Sequence, residues 1–314
     1  MESGREVTTP DGIVQWTADP CPNWIPEPGI YTGTPEPAYR AWNAHNQSLI
    51  KLLDPDHPDT HGIAAKALVE MHTKSYPTAS MEIGSALHVA ILRPDEWDAR
   101  VGKSPTETHA KAWKEAKDSN PTVHLLNDGE REAVLRMADN VRAHPFYRDM
   151  MTVSGANLMQ EVAVVSDLTG YYPTVPDYGD AGGTKFVVRG KGLLDWWFDW
   201  SWYCDMKSTA DASPKGFRDS HWRYGYGLQM AYYERLLLEH GRRLERIVYL
   251  IVETCEPYLV DVREIEPDAL NKGRRKVESL LPYWTWCVEH NLWPGFPDYI
   301  TMTGDPEWAY RREE

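Results

Sequence analysis

The sequence is poor in cysteine, in basic charge and in long apolar runs, and each shortage removes a class of protein. Its four cysteines, Cys21, Cys204, Cys255 and Cys287, are too scattered for a C-x-x-C metal knuckle or a disulfide framework. A cytoplasmic, reducing location is therefore the expectation. No uninterrupted apolar stretch approaches the roughly 18 to 20 residues that a membrane-spanning helix needs, and the start, Met1 to Pro10, is polar. No segment repeats, and none is of low complexity. Lysine and arginine number 33 against 47 acidic residues, for a formal charge of -14. That balance counts against non-specific nucleic-acid binding, whose affinity comes mainly from basic side chains displacing counterions from phosphates. Net charge reports only the average field, so local clusters decide the matter. Lys185, Arg189 and Lys191, then Arg242 and Arg243, then Lys272 to Lys276 are the candidates for one basic surface.

What is present describes a globular chain: 42% hydrophobic residues, 25% charged residues and 14 tryptophans in 314 positions. Prolines 10, 20, 22, 26, 28, 35 and 37 mark residues 1–37 as an irregular arm. From Ala38 the spacing of Trp42, Leu49, Ile50, Leu52 and Leu53, then of 63–72, predicts short packed helices. Thr78 or Ser80 can cap a further helix through Leu92, with Pro94 where it should stop. Residues 129–144 read as a helix, 161–168 as a strand, and 185–194 and 202–208 as two strands of a hairpin. Helical spacing returns at 224–240, a buried strand follows at 247–253, and 267–288 is helical. The order predicts an α/β (α+β) domain over 38–314, with an N-terminal helical elaboration.

The hairpin carries the chemistry. With the turn centred on Trp200, Asp195 and Asp205 lie the same distance on either side and should face each other across the two strands, their Cβ atoms about 4.5 to 5.5 Å apart. Like charges that close need a proton or a cation between them, and Mg²⁺ prefers such oxygen ligands. Lys207 projects from the same strand face as Asp205, because side-chain direction has a period of two. Two acids and a lysine in this arrangement suit phosphodiester hydrolysis, with a metal on the acids and a compact positive charge beside the scissile phosphate. Three further features accompany the triad. Gln229 and Tyr233 share a helix face after the hairpin, Gly84 and His88 share a face of the capped helix, and Glu161 opens the strand just before the hairpin.

In this order the features resemble the RecB-like branch of the PD-(D/E)XK nucleases, whose pattern runs G-x-x-x-H, acid, D, (D/E)-x-K, Q-x-x-x-Y. The run Asp205-Met-Lys-Ser-Thr-Ala-Asp-Ala-Ser-Pro214 and the approach Tyr224-Gly-Tyr-Gly-Leu-Gln229 look like the RecE (exonuclease VIII) catalytic domain. The likeness spans about Tyr39 to Trp308 and includes Trp293-Pro294 and Pro306-Glu-Trp308 in the tail. One departure is Leu194, where the family pattern has a proline before the first aspartate.

The resemblance implies a central mixed β-sheet flanked by helices, with His88, Glu161, Asp195 and Asp205 as metal ligands and Asp205, Lys207, Gln229 and Tyr233 beside Asp195 as catalytic residues. It implies Mg²⁺, with Mn²⁺ as a substitute, and digestion of linear double-stranded DNA, 5′ to 3′, leaving a 3′ overhang. It further implies a RecT-like single-strand annealing partner in homologous recombination, a homo-oligomeric ring, a tetramer by the family pattern, and a phage gene acting in a bacterial cytoplasm. A ring could hide basic residues in its channel and keep an acidic exterior. Rival readings are a glycoside hydrolase built on paired carboxylates, an iron-sulfur nuclease of the Cas4 kind, and a DNA-end-binding module without activity. Lys207 between the acids disfavours the first, and the lack of three clustered late cysteines disfavours the second.

Overall fold

The computed structural model describes residues 25–106, 111–153, 158–174, 176–198, 201–298, 300 and 302–304, with two short strands at 7–8 and 13–15. In chain order the N-terminal half holds β1 (Val7–Thr8), β2 (Ile13–Gln15), β3 (Gly29–Thr32), α1 (Glu36–Ala41), α2 (Gln47–Lys51), α3 (Ala64–His72) and α4 (Ala79–Leu92). There follow α5 (Trp97–Arg100), β4 (Val101–Lys103), α6 (Lys111–Ser119), β5 (His124–Leu126), α7 (Asp128–Ala143) and α8 (Pro145–Val153). The C-terminal half consists of β6 (Leu158–Tyr171), β7 (Lys185–Phe198), β8 (Trp202–Thr209), α9 (Pro214–Arg223), α10 (Tyr226–Leu238), β9 (Arg246–Glu253), β10 (Val260–Glu264) and α11 (Pro267–His290).

Eight strands form one mixed sheet in the order β1-β2-β3-β6-β7-β8-β9-β10, and β4 pairs with β5 in a small parallel ribbon. Long antiparallel strands β6 and β7 form its middle, while β8 and β9 run parallel. Parallel neighbours need a crossover, which α9 and α10 supply. The β9 run Ile247–Val252 is buried throughout, as befits a strand covered on both faces. On one face Ile247, Tyr249 and Ile251 pack with Leu228, Tyr232 and Leu236 of α10 and with Val277 and Trp284 of α11. On the other, Val248, Leu250 and Val252 pack with Leu87 and Ile91 of α4 and Val134 and Met137 of α7. The protein is thus a sheet sandwiched between helices, the mixed α/β class expected from the element order.

Local sequence explains the helices that carry the site. Thr78 caps α4 by accepting from the Met81 amide at 3.3 Å, and α4 stops before Pro94. Asn127 and Glu130 form a capping box at the start of α7. Helices α10 and α11 cross closely: a Cβ on Gly273 would lie 2.1 Å from the Gly227 carbonyl oxygen, so only glycine permits the approach. Buried Glu82 ties α4 to its neighbours, accepting from the Leu125 amide at 2.8 Å and pairing with Lys117 at 2.8 Å.

Two expectations need correction. Residues 1–37 are not irregular throughout, since Gly29–Thr32 is strand β3 and Ile30 and Tyr31 are buried against β6. Proline content is a local signal, whereas this strand is defined by partners far along the chain. The basic clusters are in part spent on internal partners, while Lys185, Arg243 and Arg275 stay exposed. Lys191 is buried and donates to the carbonyls of Tyr39, Arg40 and Trp42, and Arg189 pairs with Asp167. Arg274 binds Glu234, while Lys272 and Lys276 bind acids of the loop after α2. The expected turn at Asp199 and Trp200 and the tail at 306–308 lie outside the described residues.

Candidate active site

The β7–β8 pairing has the register expected of a turn centred on Trp200: Trp196 faces Cys204, Trp197 faces Tyr203 and Phe198 faces Trp202. It ends there, one step short of Asp195 and Asp205. Beyond that point β8 stays with β9 while β7 stays with β6, so the two aspartates stand where the strands fork rather than as cross-strand partners. The fork leaves the Met206 amide without a ladder acceptor, and Asp195 Oδ2 takes its hydrogen bond at 2.8 Å.

Side-chain alternation also slips at this point. Leu194 and Trp197 both enter the core beneath α10 and α11, although strict alternation would put them on opposite faces. Opposite them Val162 and Met159 show the same slip, and between those two lies Glu161, whose φ of 46° is unusual for a residue with a side chain. As a result, the fork is reached from both sides of the sheet.

From one face comes α4. A Cβ on Gly84 would lie 2.7 Å from Ser208 Oγ, so glycine there lets the helix lie close on β8. One turn later His88 Nδ1–H donates to the Gly84 carbonyl at 2.9 Å, which turns Nε2 toward Asp195 Oδ2 at 3.3 Å. Burial lowers the imidazole pKa, but the Asp195 carboxylate outweighs it and lifts the group to about 9. Burial likewise raises Asp195, yet His88, Lys207 and the Met206 amide together hold it below the usual carboxylate range.

From the other face comes α10. Lys207 Nζ lies 2.5 Å from Asp205 Oδ2 and donates to Gln229 Oε1 at 3.1 Å, while Gln229 Nε2 donates to the Tyr233 hydroxyl at 3.1 Å. The ammonium also sits 4.7 Å from the centre of the Tyr226 ring. Asp205 is 2% exposed and accepts the Tyr203 hydroxyl at 2.5 Å. Burial is the main force raising its pKa, opposed by Lys207 and reinforced by the Asp195 charge.

His88, Asp195, Asp205, Lys207, Gln229 and Tyr233 all line one open cavity of about 410 Å³. Glu161 does not. Its carboxylate is held by Arg93, which also reaches Glu96 and the Thr34 carbonyl. Burial raises the Glu161 pKa against that pairing. The remaining wall comes from the N-terminal segment, with Glu36, Tyr39, Arg40, Asn46, Gln47 and Ser48, together with Lys191 and Leu193. Sequence reasoning missed this wall, because the residues lie in and after a proline-rich stretch and no local pattern shows where they dock.

Among the described residues no group of three or more His, Cys, Asp or Glu side chains is already gathered as a metal cage. The donor chemistry nonetheless fits a hard divalent cation. Asp205 Oδ2 is buried beside the Lys207 ammonium, Asp195 Oδ2 faces the same cavity, and His88 Nε2 could join them on giving up the proton it shares with Asp195. We expect His88→Ala to shift the activating metal concentration upward by about ten-fold or more, the scale seen when a metal-site partner is lost. Rate and metal titration curves that overlay the unaltered protein would reduce His88 to a structural role.

Residues 178–302 match a family described as a PDDEXK-like domain of unknown function (DUF3799). The match includes Asp195, Asp205, Lys207, Gln229 and Tyr233 and leaves His88 and Glu161 outside. Among solved structures, a candidate exonuclease from Eubacterium rectale is similar over 79% of this chain and 82% of its own, at 12% identity and a TM-score of 0.52. LHK-Exo in complex with dAMP aligns over 79% of this chain and 91% of its own, at 12% identity and a TM-score of 0.32. No curated protein matches the chain. The mixed sheet flanked by helices is the PDDEXK-like fold.

Proposed function

We propose that this protein is a divalent-metal-dependent DNA nuclease, and specifically a RecE-like exonuclease that digests one strand of linear duplex 5′ to 3′ to leave 3′ overhangs for strand annealing. One observation carries the reading: side chains from α4, β7, β8 and α10, reaching the sheet from both faces, meet in a single cavity at the β7–β8 fork. Asp195, Asp205 and His88 would hold the ion, Mg²⁺ by preference and Mn²⁺ as a substitute. When bound, such an ion polarises a phosphodiester and acidifies a water molecule. Glu161 would join only by leaving Arg93.

The chain's own groups do the positioning. Lys207, fixed between Asp205 and Gln229, presents a point charge where negative charge grows on the phosphate. Gln229 orients Lys207 through its carbonyl and Tyr233 through its amide, so the two helix residues act as one unit. Tyr203 holds Asp205 from below, its hydroxyl directing the carboxylate toward the cavity.

A closed homo-oligomer, a tetrameric ring by the RecE pattern, would reconcile the charge of -14 with a polyanionic substrate. The expected result is degradation of linear duplex that requires Mg²⁺, stops with EDTA, spares covalently closed circles and weakens steeply as salt rises. Hydrolysis that survives EDTA would sink the nuclease mechanism. A monomer by light scattering that cuts closed circles as fast as linear DNA would remove only the ring and the end requirement. Association with a RecT-like annealing protein belongs to the same proposal.

A further inference from the structure

Between α9 and α10 the chain turns through Tyr224 and Gly225, and this turn borders the active-site lysine without contributing to the chemistry above. Tyr224 is 50% exposed, as is nearby Trp222 at 58%, an unusual outlay of large aromatic surface in a fold whose other rings are mostly buried. The Tyr224 ring is stacked on Tyr226, with centroids 5.8 Å apart and planes inclined by 30°. Tyr226 in turn lies under the Lys207 ammonium, 4.7 Å from ring centre to Nζ. The rings therefore form a short ladder from the reactive lysine to the surface. Beneath it Tyr249, Phe217 and His221 pack edge-on or tilted against Tyr226 and one another, so the lower rung cannot swing away.

A second cation stands beside the ladder. Lys51, at the end of α2, donates to the Tyr224 carbonyl, and its alkyl stem passes Gly225. Burial first, then the neighbouring Lys207 charge, lowers its pKa to about 8. Two ammonium groups next to a stack of rings that ends in an open face match a nucleotide, with phosphate on the cations and base on the aromatic.

We propose that Tyr224 is a stacking platform for an unpaired nucleobase of the strand whose phosphate lies at Lys207. The site would bind a separated strand in preference to the interior of a duplex, where neighbouring pairs cover both faces of each base. This inference rests on the nuclease reading for its location but not for its test.

The probe is a single-stranded oligonucleotide carrying the fluorescent base aminopurine, titrated into full-length protein without metal so that no cleavage occurs. The base should be quenched on binding, and Tyr224→Ala and Tyr224→Leu should each weaken binding about ten-fold and lose the quench. Tyr224→Phe, which keeps the ring, should bind and quench within about two-fold of the unaltered protein. With Mg²⁺ and linear duplex, the same two ring-less variants should raise KM about ten-fold while changing kcat less than about two-fold. Because Tyr224 is half exposed, melting temperatures should stay level and separate stacking from misfolding. Unchanged binding and quench in Tyr224→Ala, or a loss in Tyr224→Phe equal to that in Ala, would overturn the platform and leave the nuclease reading intact. An unaltered protein that cleaves no DNA would remove the nuclease reading, and the metal-free titration would still decide the platform.

Discussion

Lys207→Ala, Asp195→Ala and Asp205→Ala should each lower DNA hydrolysis by about 10³-fold or more, the scale of removing a group aimed at transition-state charge. The folded state should respond differently to each. Asp195 supplies the acceptor for the Met206 amide at the fork, so Asp195→Ala should cost about 1–3 kcal/mol through a buried donor left unpaired. Asp195→Asn keeps an oxygen there and should keep most of the stability. At Asp205 burial and the Asp195 charge oppose ionisation, so Asp205→Asn, which still accepts from Tyr203, should melt higher than the unaltered protein at neutral pH without metal. Hydrolysis assays with thermal melts on each variant test both halves. Unaltered turnover in any folded variant would withdraw that residue from the catalytic assignment.

The second large effect lies away from the cavity. Glu82→Ala should destabilise the protein by about 3–5 kcal/mol, the cost of breaking a buried ion pair from one side. Glu82 is 1% exposed, and its loss strands the Leu125 amide and removes the counter-charge of Lys117, itself 8% exposed. Burial works to raise its pKa, but hydrogen bonds and charges from His124 and Lys117 leave the group below the ordinary glutamate value. A depressed folded-state pKa contributes stability that is present above the unfolded glutamate pKa and disappears as pH falls through the folded value. The gap between the unaltered protein and Glu82→Gln should therefore be widest near neutral pH and close in acid. Chemical denaturation at several pH values measures it, and a gap that widens toward acid would show the sign to be wrong. Since α4 carries His88, Glu82→Ala should also lower activity at temperatures below global melting.

How much of this was legible in the residues depends on how local the cause is. The cap at Thr78 with its stop at Pro94, the paired strands after Lys185 and the long final helix follow from neighbours within a few positions, and sequence reading finds them. The hairpin register follows as well, because only three residues separate the two strands in the sequence. The fork does not, since it depends on β8 preferring β9, a partner more than a helix pair away in the chain. For the same reason the aspartates could be named from their spacing while their relation could not. Glu161 is the sharpest case: its place in the strand before the hairpin is readable from the pattern, but its pairing with Arg93 and its left-handed backbone are tertiary facts. Part of the basic clusters is paired internally, because sequence shows where cations are and not which acids the fold brings to them. Strand β3 and the N-terminal cavity wall were hidden under prolines that signal only local irregularity.

The glycine contact between α10 and α11 bears on how the site tolerates change. Backbone there meets backbone, so the spacing of the two helices is set by atoms that no side-chain substitution alters. Gln229 lies just beyond Gly227 on α10, and its distance from β8 is set on the opposite side of the helix, where Leu228, Tyr232 and Leu236 pack on the sheet. Core residues elsewhere along the α10–α11 interface can accordingly change in size while the two backbones keep their spacing at Gly227 and Gly273. The two glycines act as a fixed stop against which the variable part of the interface is free to wander.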